Sequence, residues 1–276
     1  METNLMYDMY VPTRVMFGAG MLDKLNEQPM PGRRALIVIS NGKSTRANGY
    51  LSRTEEQLHK AGVETVLFDG VMPNPTVSNV DAGAKAAREH GCDFLVALGG
   101  GSVMDCTKAI AVMATNDGEL WDYVPIGSGK GKPIAVRPLP IIAITTTAGT
   151  GSETDNSGVI TREDTFEKAF VGDASLFPVL SIVDPELMAS VPPTFTAYQG
   201  FDALSQGDYR HHTAGHVRIS GRIDPDRGEH AGAERAGPLP EYEGGRAPLR
   251  FVPSAGIAEN EIHPPGDGVT GLHAAD

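Results

Sequence analysis

Cysteine is nearly absent: Cys92 and Cys106 are the two that this 276-residue chain contains. They cannot build a disulfide framework or a cysteine metal knuckle, so a reduced, cytoplasmic setting is the expectation. Positive charge is scarce too. Lys and Arg number 23 against 35 Asp and Glu, a net charge of -12. That balance argues against a nucleic-acid partner, whose counterions are displaced by clustered cations. It leaves room for one locally positive loop facing an anionic ligand. No apolar run approaches a membrane span, and METNLMYDMYVPTRVMFGAG has no basic stretch followed by an apolar one, so no membrane association is expected. What the chain does have is enough apolar residue, 40%, for a core in one large domain or two ordinary ones.

From about residue 14 to 185, short apolar runs alternate with helical stretches. ALIVI (35–39), TVLF (65–68), FLVAL (94–98) and PIIAIT (140–145) are near-continuous, β-branched and bounded by turn residues, which predicts buried strands. YLSRTEEQLHKAG and SNVDAGAKAAREHG carry helical spacing. Each ends on a glycine suited to a left-handed cap, Gly62 and Gly91, and Ser78 is the expected N-cap of the second. Strand–helix alternation with short links predicts an α/β domain with a parallel sheet over 1–185. DPELMASVPPTFTAYQGFDALSQ then keeps helical spacing around a Pro192-Pro193 break, which makes 186–206 a short helical stub. From Gly207 to Asp276 there is no lysine or methionine, large apolar residues thin out, and six of the eight histidines gather. No window there sustains a helical or strand period, so 207–276 is read as a poorly ordered tail.

Three loops carry the chemistry. FLVAL runs into Gly99, Gly100, Gly101 and Ser102 and then a helix through about Ala114. Glycine is costly to order, and three together suit a turn whose amides approach phosphate oxygens at a helix N-terminus. Asp105 is placed to cap that turn. The spacing matches neither GxGxxG nor a P-loop. An empty βα turn remains the bland alternative. PIIAITTTAGTGSETDN leaves its strand with Thr145, Thr146, Thr147, Gly149, Thr150, Gly151 and Ser152, hydroxyls and small residues that suit ribose and phosphate oxygens, although threonine also fills strand ends. MPNPTVSNV, weaker alone, is stiffened by Pro73 and Pro75 and offers the Asn74 amide. All three leave carboxyl ends of strands, where open α/β sheets bind ligands.

PNPT, GGGSVMDCTKAIA and ITTTAGTGSETDN, in this order and spacing, resemble the iron-containing (group III) alcohol dehydrogenases, and DPELMASVPPTFTAYQGFDALS is similar to the segment joining that family's α/β domain to its helical one. The match covers about residues 5 to 205. Glycerol dehydrogenases and dehydroquinate synthases share the architecture, but FDALS and TTAGTGSETDN favour the iron-type branch. The resemblance implies a Rossmann-like, dehydroquinate synthase-like sheet domain, hydride transfer between NAD(P) and a small alcohol or aldehyde, and a divalent metal, Fe2+ or Zn2+, at the domain cleft. It implies that Gly100, Gly101 and Ser102 hold the pyrophosphate with Asp105 toward the nicotinamide. Asn74, Thr146, Thr147 and Thr150 would contact ribose and base, and Lys168 the nicotinamide ribose. A homodimer paired through RVMFG is a further expectation by analogy.

NAD-specific members place an acidic residue where this chain has Ser40. Asn41, Lys43, Ser44 and Arg46 follow, and with no carboxylate expected nearby the loop favours NADP, NAD remaining the alternative. The metal site departs from the family. Asp202 matches the first ligand, while Gln206, a far weaker ligand than imidazole, stands where the second falls. The family pattern then stops, in a way that resembles a change of reading frame. His211, His212 and His216 are read as adventitious metal binders rather than a formed site. No catalytic residue is assigned. The expectation is an NAD(P)-dependent, metal-containing alcohol dehydrogenase by ancestry with impaired activity, or else a non-catalytic dinucleotide-binding remnant.

Overall fold

The computed structural model describes residues 10–213, with side chains through residue 205. Along the chain, β1 (Arg14–Phe17) leads through a 3-10 turn (Met21–Glu27) to β2 (Arg34–Ser40), the short α1 (Ser44–Ala47), α2 (Tyr50–Lys60) and β3 (Glu64–Val71). Next come α3 (Val77–Glu89), β4 (Phe94–Gly99), α4 (Gly101–Thr115), the short α5 (Leu120–Tyr123) and β5 (Ile141–Thr145). A hairpin of β6 (Ser157–Arg162) and β7 (Glu167–Gly172) precedes β8 (Leu180–Val183), and α6 (Pro193–Thr213) ends the described chain.

Six strands form one sheet in the order β1-β8-β5-β4-β2-β3, every neighbouring pair parallel. The four apolar runs become β2, β3, β4 and β5, and the α/β fold is the expected one. Continuity of their apolar residues follows from burial on both faces. Leu36, Val38, Leu95, Ala97, Ile141 and Ala143 join the cluster that holds Val80, Ala84 and Ile110 from α3 and α4. Their alternates Ala35, Ile37, Ile39, Val96, Leu98, Ile142 and Ile144 join Leu22, Leu25, Leu51 and Leu58 from the 3-10 turn and α2. The chain steps outward from β2 to β3, crosses back to β4 on the far side of β2, then continues outward to β5 and β8. That reversal opens a crevice above β2 and β4.

Local signals hold in detail, with corrections. Gly62 and Gly91 take left-handed φ of 76° and 62° after their helices. The N-cap of α3 is Thr76, not Ser78. Thr76 Oγ1 accepts from the Asn79 amide and Asn79 Oδ1 accepts from the Thr76 amide, a reciprocal pair that Ser78 does not make. Pro193 opens α6, where its missing N–H costs nothing. That helix continues through Thr213, past the tail boundary expected at Gly207; residues 214–276, with the rest of the expected disorder, lie outside the described residues. The expectation over Asp105 also changes. Because α4 begins at Gly101 with Gly100 as its N-cap and no side-chain cap, Asp105 sits a turn inside the helix. Strands β6, β7 and β8 go unnamed in the sequence reading, since none carries a long apolar run.

β1 is tied down by one buried carboxylate. Asp184, fully buried beyond β8, accepts from the Gly20 and Leu22 amides at 3.2 and 3.1 Å and from the Glu186 amide at 3.0 Å. It links sequence positions more than 160 residues apart. Asp184→Ala would strand these donors, at a cost on the order of 3 kcal/mol. Urea denaturation should show that loss, and Asp184→Asn, which keeps one acceptor oxygen, should lose less.

Candidate functional site

Above the carboxyl ends of β2, β4 and β5 lies a cleft of about 660 Å³. All the residues singled out as cofactor or metal contacts line it: Ser40, Asn74, Gly100, Gly101, Ser102, Asp105, Thr146, Thr147, Thr150, Lys168 and Asp202. The two polar loops that the sequence sets 45 residues apart are in contact. The Thr146 amide donates to Gly99 O at 3.0 Å, and a Cβ placed on Gly100 would meet Thr147 Oγ1 at 2.7 Å. One placed on Gly101 would meet Thr150 Cγ2 at 2.9 Å. Glycine is required at both positions so that the threonine loop can close over the turn. Gly101 and Ser102 open α4, so their amides have no intrahelical acceptor and face the cleft at the positive end of the helix dipole. Such a helix start suits an anionic group.

Asn74 holds a positive φ of 52°, which asparagine tolerates better than most residues. It brings the side chain to Lys168, whose ammonium donates to Asn74 Oδ1 at 2.8 Å. Thus the third loop and the β6–β7 hairpin meet across the cleft, and a parallel bridge between Thr76 and Thr161 fixes their approach. From the other side Gln199, on α6, accepts from the Ala148 amide at 3.1 Å. Phe195 and Tyr198 on the same helix also line the cleft, with Phe201 and Leu204 exposed nearby along it.

A buried group lies behind this wall. Lys108 on α4 is 1% exposed, and its ammonium donates to Ser152 O, Ser152 Oγ and Ser157 O at 2.8, 2.9 and 2.8 Å, and to Asp155. Ser152 Oγ donates in turn to Asp105 Oδ1 at 2.9 Å. Burial pushes the Asp105 carboxyl up to about 6, against the pull of the Lys108 charge. Burial likewise pushes the Cys106 thiol up, which leaves it inert as a nucleophile. The sequence reading misses Lys108, Ser152 as a partner of Asp105, Asp155 and Gln199. The i, i+3 spacing of Asp105 and Lys108 on one helix is the signal that was present.

Two expectations change here. Lys43 and Arg46 do not line the cleft, and a carboxylate does approach them: Asp69 at the end of β3 forms an ion pair with Arg46. The metal site is also thin. Asp202 reaches the cleft beside Gly149, where a Cβ would lie 2.9 Å from Asp202 Oδ2. Among the described residues no group of three or more His, Cys, Asp or Glu side chains gathers that could hold a metal ion. One carboxylate is too few donors for iron or zinc, so the described residues do not fit that group. His211, His212 and His216 lie outside the described side chains. Among the described residues no helix is long and apolar enough to cross a membrane.

A family model described as iron-containing alcohol dehydrogenase matches residues 12–185. The chain belongs to the iron-containing alcohol dehydrogenases. It is 40% identical over 205 residues to the "Probable NADH-dependent butanol dehydrogenase 1" of Bacillus subtilis, covering 74% of this chain and 52% of that one. It is 38% identical to the 1,3-propanediol dehydrogenase of Klebsiella pneumoniae, over 72% of this chain and 51% of that one. The structure of sulfoacetaldehyde reductase from Bifidobacterium kashiwanohense in complex with NAD+ superposes with a TM-score of 0.66 at 36% identity, over 74% of this chain and 52% of that one. The chain therefore spans about half the length of these relatives and corresponds to the N-terminal portion of the family.

The seat of the hairpin on α4 gives a test of this geometry. A Cβ on Gly158 would lie 2.5 Å from Asp105 O and 2.9 Å from its Cα, main-chain atoms that cannot swing aside. Gly158→Ala should cost roughly 1–3 kcal/mol of stability. Equilibrium unfolding in urea reads it, and an unchanged midpoint would mean that the hairpin does not rest on α4 as described.

Proposed function

We propose that this chain binds NADP, and NAD more weakly, in the cleft, and that by descent it is an alcohol or aldehyde oxidoreductase whose turnover is impaired. The observation that carries the binding half is the convergence of the glycine turn, the threonine loop and Lys168 on one cleft at the sheet's switch point. In this reading the Gly101 and Ser102 amides take the diphosphate, the hydroxyls of Thr146, Thr147 and Thr150 take ribose and phosphate oxygens, and Lys168, braced by Asn74, takes the nicotinamide ribose. Hydroxyls at Ser40 and Ser44, with no carboxylate at the end of β2, favour a ribose bearing a 2′-phosphate. The Arg46–Asp69 ion pair weakens that preference without reversing it. A bound divalent metal would polarise the alcohol oxygen, and the family name implies iron. The donors among the described residues do not build its site, and the impaired turnover proposed here follows from that.

The second reading, a dinucleotide-binding remnant without turnover, is favoured by one observation: Asp202 is without companion ligands among the described residues. Pairing of two copies through the edge strand β1, where Val15 and Phe17 are 44% and 74% exposed, belongs to the same proposal.

Fluorescence titration should give a lower Kd for NADPH than for NADH. Oxidation of 1-butanol and 1,3-propanediol should stay near background with the apoprotein and rise little with added ferrous or zinc ion. Failure to bind either reduced dinucleotide would refute the binding half. Full metal-dependent turnover would refute the impairment.

A further inference from the structure

The cleft has two unlike ends. Ser40, Ser44 and Thr45 stand at the β2 side, and Asp105, Asp155 and Lys168 stand at the hairpin side, with the helix N-terminus between them. A dinucleotide whose diphosphate sits on the Gly101 and Ser102 amides, with its adenosine ribose at Ser40, places its nicotinamide beside Asp105. This placement rests on the binding proposal above.

Lys108 is absent from the cleft surface, yet four residues that line it are bound to its network. Ser152, Asp155 and Ser157 accept from its ammonium, and Asp105 is held through Ser152. Removing that cation would leave Asp105 and Asp155 facing each other across a poorly hydrated wall. We propose that the Lys108–Ser152–Asp105 network presents a fixed carboxylate to the nicotinamide end of the cleft, so that the site favours the oxidised, positively charged ring over the reduced, neutral one. Lys108 is then a positioning residue and Asp105 a determinant of cofactor redox form.

The argument is electrostatic. Oxidised and reduced dinucleotides share their phosphates, riboses and adenine, and they differ by one ring charge. The ratio of their affinities therefore cancels every contact except the surroundings of the ring. The groups facing Asp105 are Lys108 on its own helix, Asp155 and Ser152 from the threonine loop, and the Val159 amide of β6. Glu153, partly buried on the same loop, lies within range of Asp155 and Lys108. With its carboxyl pushed up by burial to about 6, Asp105 gains negative charge as pH rises from 5 to 7.5.

The test is the ratio of dissociation constants for NADP+ and NADPH, and for NAD+ and NADH, on the full chain between pH 5 and 8. Calorimetry serves for the oxidised forms and fluorescence for the reduced ones. The preference for the oxidised form should grow about tenfold as pH rises through roughly 6, the size expected of one nearby opposite charge. Asp105→Asn, which keeps the hydrogen bond from Ser152 and loses the charge, should flatten the ratio across the range. Lys108→Met should move the rise to higher pH, because the carboxyl loses the cation that lowers it. If Lys108→Met fails to fold, Asp105→Asn alone decides. A ratio independent of pH in the wild type, or one unchanged in Asp105→Asn, overturns the proposal while leaving dinucleotide binding intact. Failure of all four dinucleotides to bind overturns both.

Discussion

The turn after β4 and the loop after β5 run so close together that a single methyl group on either of two glycines would collide with a threonine. Much else follows from that approach. Gly99 and Thr145 are register partners at the ends of their strands, and the Thr146 amide reaching back to Gly99 O extends the sheet's hydrogen bonding one step beyond the last pair. The threonine loop is thereby pinned over the start of α4, which orients its hydroxyls into the same space as the free amides of Gly101 and Ser102. A methyl at Gly100 or Gly101 would lift the loop off the start of α4.

This part of the site was legible in the sequence because each loop advertises itself locally. Three glycines between an apolar strand and a helix need a reason, and so does a run of four threonines with glycines after another strand. The parallel sheet was legible for a similar reason, since strands buried on both faces show unbroken apolar runs such as ALIVI and FLVAL. What escaped depends on contacts between distant positions. The β6–β7 hairpin packs on α4 with strands of only six residues, and SGVITR and EKAFVG carry too few apolar residues to stand out. The ion pair of Asp69 with Arg46 joins β3 to the short helix α1, 23 residues earlier, so no local pattern announces it. Thr76 displaced Ser78 as a helix cap because geometry, not residue type, chooses between two hydroxyls two positions apart.

The cleft wall illustrates how a buried charge is tolerated. An ammonium taken out of water is expensive unless its donors are met. Lys108 is met by two main-chain carbonyls, a hydroxyl and a carboxylate drawn from the loop and the hairpin. A lysine is thus a clamp joining three elements that the sheet does not itself connect. Its site also shows why the metal half of the chemistry differs in kind. The cleft is assembled from elements that the sheet holds in register, whereas Asp202 stands on α6, which touches the cleft through Gln199 and a few aromatic side chains.

The pairing of β1 with β8 has a consequence for how the chain is made. β1 is made before every other described strand, and its neighbour in the sheet, β8, is made after all of them, with Asp184 just beyond it. At synthesis rates of 5–20 residues per second the interval is roughly ten to thirty seconds. Through that interval the hydrogen-bonding groups of β1 have no partner within the sheet. Closure of this edge of the sheet thus waits on the synthesis of β8, and slower translation across residues 20–180 lengthens the wait.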